Sequence, residues 1–457
     1  MTAPTSAHSD AGTVGIVHIG PGAFHRAHQV AYTQDAMAIE NGPWQIEGVS
    51  LRSRTVADAL NAQNGNFTLV IRGAVDTEYR KMTALAGVLT AADGMDPILN
   101  ALCRPATRIV SLTVTEKAYT KAKDENGAAN SVIQLLTDAL QQRRVAGAGP
   151  ITLLSCDNLS DNGAVLSEAV QASASNVSSA LVDWISEHVT FPSTMVDRIT
   201  PATTPDLIAE VERATGWADA APVETEAFSQ WVIEDNFANG RPQWEAAGAL
   251  LVSHVAPFEH MKLRMLNGAH SMLAYAGHVA GKTYVRDVMA DEPFAELVSR
   301  HMQSAAATLD PVPAIDLCVY RKELLERFRN PHIAHETYQI ATDGSQKLPQ
   351  RIFSPAVEAI NRGLNPGAFA FATAAWLRYL NGKSDADQPY KIRDPHELVL
   401  ADLPAEPNAR VNALCGLPNL VPPILAASDA FKNSISERLE RMNEKGMRAA
   451  VMEELHA

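Results

Sequence analysis

The sequence predicts an α/β domain with a mainly parallel sheet, followed by an all-α domain, and three observations lead there. In the first half, short β-branched runs alternate with helical patterns. After about Pro257 the texture changes to helix after helix. The length, 457 residues, exceeds what one ordinary core holds, so two domains are expected. The boundary falls near Ala256, giving domains 1–256 and 257–457.

Val14–Ile19, Ile46–Leu51, Phe67–Ile71, Ile109–Val114 and Ile151–Cys156 read as buried strands. Helical patterns lie between several of them, at Ala27–Ala38 and Ala92–Leu102. This alternation implies βαβ units and a largely parallel sheet covered on both faces. Met195–Ile199 and Trp231–Ile233 are expected to add strands at the sheet's far side. In the second half, helical spacing fits Phe258–Ala280, Phe294–Ala307, Leu317–Arg327, Pro355–Asn361, Phe369–Leu380 and Ile435–Glu454. Pro and Gly punctuate the gaps, as in Asn330-Pro331 and Asn365-Pro366-Gly367.

Composition excludes several function classes. Apolar residues make up 46% and charged residues 20%, an ordinary globular balance. The formal net charge is −14 and no Lys/Arg run tracks a phosphate backbone, which argues against nucleic-acid binding. An anionic substrate must therefore find a local basic pocket. Cys103, Cys156, Cys318 and Cys415 are scattered without a C-x-x-C pair, as suits a reducing cytoplasm rather than a disulfide framework or zinc ribbon. Met1 to Gly12 lacks the basic and apolar blocks of a signal peptide, and no apolar stretch is long enough for a bilayer. A cytoplasmic protein without a membrane partner is expected, as a monomer or small homo-oligomer.

The first strand runs into Gly20-Pro21-Gly22-Ala23-Phe24-His25-Arg26-Ala27-His28. A glycine turn between a first strand and helix lets backbone amides approach a pyrophosphate at the positive helix terminus, the signature of a Rossmann-type domain. Gly20, Gly22, Ala23 and Phe24 are the candidate cofactor contacts. His25 stands where the third glycine of G-x-G-x-x-G would be, so a plain tight turn fits as well. After the second strand, Ser50-Leu51-Arg52-Ser53-Arg54 contains no acid for an adenosine ribose. Arg52 or Arg54 facing a ribose phosphate would favour NADP; a solvated loop is the alternative.

On a helix at about 100° per residue, Glu259, Lys262, Asn267 and His270 fall within an arc of about 140°. Lysine and histidine with an amide between them suit a metal-free acid/base site, provided burial lowers the lysine pKa. The amide would donate to an alkoxide and the imidazole would orient the reacting hydroxyl. A solvated polar face has the same spacing. Asp157-Asn158-Leu159-Ser160-Asp161-Asn162-Gly163 ends a strand, where open α/β sheets bind ligands, but Asn and Asp also cap helices and shape turns there. Tyr119-x-x-x-Lys123 matches the pair of short-chain dehydrogenases by chance, because the chain is too long for that class. No clustered Cys/His zinc set, G-x-S-x-G elbow or P-loop is present.

Taken together, these segments resemble the mannitol dehydrogenase family over nearly the whole chain. The landmarks are Gly20-x-Gly22-x-Phe24-His25-Arg26, Ser111-Leu112-Thr113-Val114-Thr115-Glu116, Ser155-Cys156-Asp157-Asn158, Met195-Val196-Asp197-Arg198-Ile199-Thr200-Pro201 and Lys262-x4-Asn267-x2-His270. The resemblance implies a Rossmann-type N-terminal domain, an all-α C-terminal domain, a cleft between them as active site, NAD or NADP as cofactor, and no metal. It makes Lys262 the general acid/base, Asn158 and Asn267 an oxyanion hole, and His270 a holder of the reactive oxygen. Glu259 would gate or relay the proton; its carboxylate would raise the lysine pKa, which burial or water access must oppose. Thr115 and Glu116 fall to the cofactor and Asp197 to the substrate.

Within the family, His335-Glu336-Thr337-Tyr338-Gln339-Ile340-Ala341-Thr342-Asp343-Gly344-Ser345-Gln346-Lys347-Leu348-Pro349-Gln350-Arg351 resembles the fructuronate reductases more than the mannitol 2-dehydrogenases. Lys347 or Arg351 would then pair with a sugar-acid carboxylate, or be ordinary surface charge. The expected reaction is reversible hydride transfer to the keto group of a hexuronate, D-fructuronate to D-mannonate. A neutral polyol such as mannitol or arabinitol is the nearest alternative. A cofactor-binding protein without catalysis is a third reading, against which the intact Lys262, Asn158, Asn267 and His270 stand.

Overall fold

The computed structural model describes residues 14–114, 118–119 and 131–456. The chain divides into two compact units, Met1–Ala256 and Pro257–Ala457.

The first unit is built on a six-stranded sheet of β1 (Val14–Ile19), β2 (Gln45–Ser50), β5 (Leu85–Thr90), β6 (Ile109–Leu112), β7 (Ile151–Ser155) and β8 (Val189–Thr190). The order is β5-β2-β1-β6-β7-β8, and every pairing is parallel. Parallel strands need crossovers, which here cover both faces: Ile16 joins one apolar cluster while Val17 and Ile19 join the other. Strand order reverses direction between β1 and β6, the switch point at which open α/β sheets take their ligands, and Gly20 and Thr113 follow those strands.

Three strand expectations need correction. Phe67–Ile71 is a strand, β3 (Phe67–Arg72), but it lies outside the parallel sheet. It pairs antiparallel with β4 (Thr77–Met82) and parallel with β10 (Val223–Glu226) in a separate three-stranded sheet. Likewise β9 (Thr194–Asp197), β11 (Gln230–Glu234) and β12 (Leu250–Val252) form a third sheet instead of extending the first. β4 and β5 carry weak strand signals: β4 is charged and only partly buried, and β5 carries Gly87 and an alanine within an edge strand.

Among its described residues the second unit's regular structure is all helical, apart from isolated bridges at Tyr284–Glu336 and Lys383–Pro389. The helix expected over Phe258–Ala280 runs from Ala256 to Val279, with its middle turn, Lys262–Asn267, wound as a π-helix. A second π-helical turn, Pro349–Phe353, precedes Ser354–Asn361. The helix expected over Ile435–Glu454 is two, Asp429–Lys445 and Met447–His456. Gly446 breaks it at φ +80°, and Asp385 accepts the Met447 amide at 2.6 Å. No helix among the described residues is long and apolar enough to cross a membrane.

Candidate active site

In the first unit, Gly20 adopts φ +95°, and a Cβ there would lie 2.2 Å from the Thr113 carbonyl oxygen, so no other residue fits. Gly22 is exposed and precedes the short helix Ala23–Ala27 with no side-chain cap, leaving the amides of the first turn for a ligand. Ala23 and Phe24 are half-buried on that turn.

The missing third glycine has a structural account. His25 stacks face to face on His18 of β1, with ring centroids 3.4 Å apart and planes 7° from parallel. Flat ring contact brings helix and strand together where a glycine would otherwise do so. Burial holds His18 down at about 3 and His25 well below its ordinary value, so both rings are neutral. His18 Nδ1 meets Ser111 Oγ at 2.7 Å, and its Nε2 meets Thr113 Oγ1 at 2.9 Å. Thr113 Oγ1 donates to the Gly20 carbonyl at 2.7 Å, which ties the turn to β6. His25 departs from the glycine pattern in sequence, and its partner His18 lies one strand back in the apolar β1, where no local signal marks it.

Arg52 is exposed after β2, while Arg54 forms an ion pair with Asp93 at 2.8 Å. Thr115 and Glu116 lie outside the described residues, as does Lys123 of the Tyr-x-x-x-Lys match. Tyr119 of that match is buried and donates to Asp157 Oδ2 at 2.5 Å. Burial, then the Asp157 carboxylate, pushes its phenol far above the usual range. It is a strut rather than an acid.

The polar run after β7 divides by residue. Asp157 is buried and accepts the Val114 amide at 2.9 and 3.1 Å, joining the ends of β6 and β7. Asn162 donates to the Asp157 carbonyl at 3.0 Å and to the Thr194 carbonyl at 2.9 Å. Between these braces Asn158 stands exposed at the carboxyl edge of the sheet. Asp197 is buried at the end of β9, opposite Gln230 of β11.

In the second unit Glu259, Lys262, Asn267 and His270 are all buried, which removes the solvated-face alternative. The expected spacing needs correction, however. In an α-helix, residues five apart point about 140° away from each other. With i→i+5 bonding through Lys262–Asn267, a turn holds more residues and that pair moves toward a common face. Asn267 Nδ2 and His270 Nε2 are buried without hydrogen-bond partners. Native proteins rarely leave such atoms unmatched except where a ligand or water meets them.

His270 is held by its neighbours. Phe328 stacks on it with centroids 4.1 Å apart, and His335 meets it edge-on at 5.3 Å. Burial, then the unfavourable coupling to His335 and the charges of Arg327 and Arg351, holds it well below its ordinary pKa, so the ring is neutral. Arg351 Nη1 donates to Ser271 Oγ at 3.2 Å, one residue along the helix. Lys347 is engaged differently: its Nζ donates to the Thr342 carbonyl at 2.7 Å and the Ile340 carbonyl at 3.3 Å, closing the short helix Thr337–Ile340. Among the described residues, no group of three or more His, Cys, Asp or Glu is placed to hold a metal ion.

Comparison with known proteins agrees with this architecture. Residues 14–246 match the mannitol dehydrogenase Rossmann domain and residues 254–443 the mannitol dehydrogenase C-terminal domain. D-mannonate oxidoreductase of Escherichia coli (strain K12) is 39% identical over 459 residues, spanning 95% of this chain and 94% of that protein. D-arabinitol 4-dehydrogenase of Ralstonia nicotianae is 38% identical over 399 residues, spanning 83% of this chain and 86% of that one. The Pseudomonas fluorescens mannitol 2-dehydrogenase, solved as a ternary complex with NAD and D-mannitol, superposes with a TM-score of 0.86 at 35% identity, covering 98% of this chain and 96% of that one. The chain belongs to the mannitol dehydrogenase family, whose members are NAD-dependent dehydrogenases acting on CH–OH groups.

Proposed function

We propose that this protein transfers hydride reversibly between NAD and the keto carbon of a hexuronate, with D-fructuronate and D-mannonate as the pair. The observation that carries this reading is the π-helical turn with Lys262 at one end and Asn267 at the other, both buried, beside the unmatched Nδ2 of Asn267 and Nε2 of His270. These are the groups that a carbonyl becoming an alkoxide requires: a proton carrier, an amide donor and an orienting imidazole.

The Gly20–Gly22 turn suits a dinucleotide, since Gly20 holds a positive φ packed against Thr113 and no side chain caps the helix that follows. Bound there, the nicotinamide supplies the hydride in reduction and receives it in oxidation. Lys262 then gives its Nζ proton to the carbonyl oxygen, or takes the hydroxyl proton in the reverse direction. Asn267 donates to the oxygen as its charge develops, with Asn158 as the second amide. Neutral His270 holds the same oxygen, and Glu259 relays the proton to and from Lys262. Asp197 and Arg351 bind substrate; Arg351 is the better partner for a carboxylate, because Lys347 is already spent on loop carbonyls. Arg52 is the side chain that would admit NADP. The four free cysteines fit a cytoplasmic setting.

A neutral polyol is the second reading. It is favoured by the engagement of Lys347 and by the likeness to an enzyme solved with D-mannitol. A panel of sugar acids and polyols, followed by absorbance of the reduced nicotinamide, decides between them.

A further inference from the structure

We propose that His335 is a substrate-contacting residue, its ring nitrogen hydrogen-bonding a hydroxyl of the substrate chain next to the oxygen that His270 holds. The inference rests on the catalytic reading of Lys262, Asn267 and His270 above.

Three observations meet at His335. Its Nδ1 is buried and has no hydrogen-bond partner. The ring lies edge-on to His270, centroids 5.3 Å apart, and His270 itself has an unmatched Nε2. Asn267 Nδ2, three residues before His270 along the same helical stretch, is unmatched as well. A polyhydroxylated chain offers hydroxyls at successive carbons, a spacing that adjacent ring nitrogens suit.

The backbone around His335 is fixed, as recognition needs. Its carbonyl accepts the Val285 amide at 3.0 Å, and the Thr337 amide donates to the Thr283 carbonyl at 2.9 Å. The Tyr284–Glu336 bridge completes this short antiparallel tie. Burial, then the Lys347 charge, holds His335 down at about 4, so the ring is neutral. A neutral imidazole both donates and accepts, which fits a hydroxyl; a carboxylate is better served by Arg351.

The test is oxidation of D-mannonate and D-mannitol, each with its monodeoxy analogues, by wild type, His335→Phe and His335→Asn with NAD. The preference between the two parents tests the carboxylate reading, whereas the deoxy pattern tests His335 on whichever parent reacts. His335→Phe should lower kcat/KM at least about tenfold on the parent and less than about twofold on one particular monodeoxy analogue. His335→Asn should recover part of the loss. A loss uniform across analogues, or no loss, overturns the proposal. Should a variant fail to fold, histidine ring nitrogen NMR on the wild type serves instead. The His335 signal must shift with the parent and NAD but not with that analogue, and an unmoved signal overturns the proposal. An enzyme that oxidises neither parent removes the substrate reading and this inference together.

Discussion

Gly268 and Arg351 bring the two π-helical turns of the second unit backbone to backbone. A Cβ built at Gly268 would stand 2.8 Å from the Arg351 carbonyl oxygen and 3.3 Å from His301 Nε2. Gly268 follows the turn Lys262–Asn267, and Arg351 lies within the turn Pro349–Phe353. A π-turn is a rare winding that persists only where its surroundings support it. The close approach at Gly268 is that support, so the positions of Lys262 and Asn267 depend on a residue with no side chain.

Gly268→Ala should therefore damage catalysis and stability together. Pushing two backbones apart in a packed interior costs about 1–3 kcal/mol. Thermal unfolding should fall by several degrees, and kcat should drop more than KM rises. A variant as stable and active as wild type would show that the contact is incidental.

Lys262→Ala should separate chemistry from folding. Turnover should fall at least about a hundredfold, the usual scale of general acid–base catalysis, while thermal unfolding barely changes and NAD still binds. Turnover within a few-fold of wild type would remove Lys262 from its assigned role.

What the sequence could and could not disclose follows from the range of each interaction. β1, β6 and β7 are short apolar runs buried on both faces, and their signal is local. β3 carries the same signal, yet which sheet it joins depends on Thr77–Met82 and Val223–Glu226, the latter about 150 residues away. The site shows the same division. Lys262, Asn267 and His270 were legible as residue types at a spacing, but the π winding that relates them depends on packing at Gly268 against a distant segment. Asn158 and Asp157 are neighbours with opposite fates, one exposed and one bracing β6 to β7, which no local pattern distinguishes.

Buried histidines should make the fold acid-sensitive. His301 is held down at about 4 by burial, against an ordinary 6.5. Below about pH 6.5 the unfolded chain takes up a proton there that the native chain refuses, so stability rises with pH and is lost as pH falls from about 6.5 toward 4. One such group contributes about 1.4 kcal/mol per pH unit within that window. His301→Leu should flatten the decline by about that amount, as measured by urea unfolding between pH 7.5 and 5. An unchanged slope would mean that His301 is protonated in the native protein.

Activity should not depend on a bound metal, because the groups assigned to the alkoxide are the amides of Asn158 and Asn267. Extended dialysis against a strong chelator should leave kcat intact. Loss that added zinc specifically restores would replace this mechanism with a Lewis-acid one.

The substrate prediction turns on two cations with different commitments. Lys347 holds the Thr342 and Ile340 carbonyls, so its removal should loosen the loop that carries it. Arg351 reaches Ser271 beside His270, and its charge is felt by that ring. If Arg351 binds the carboxylate, fructuronate should be reduced with about ten- to hundredfold higher kcat/KM than fructose, the worth of a charge-assisted pair. Arg351→Met should erase most of that preference while slow fructose reduction stays nearly unchanged. Lys347→Met should lower thermal stability yet keep the preference. Equal loss on both substrates in the Arg351 variant would indicate damage to the π-helical contact, which Gly268→Ala would reproduce, rather than lost recognition. A wild-type enzyme that prefers fructose or a neutral polyol would make the sugar-acid assignment wrong, and the polyol reading would take its place.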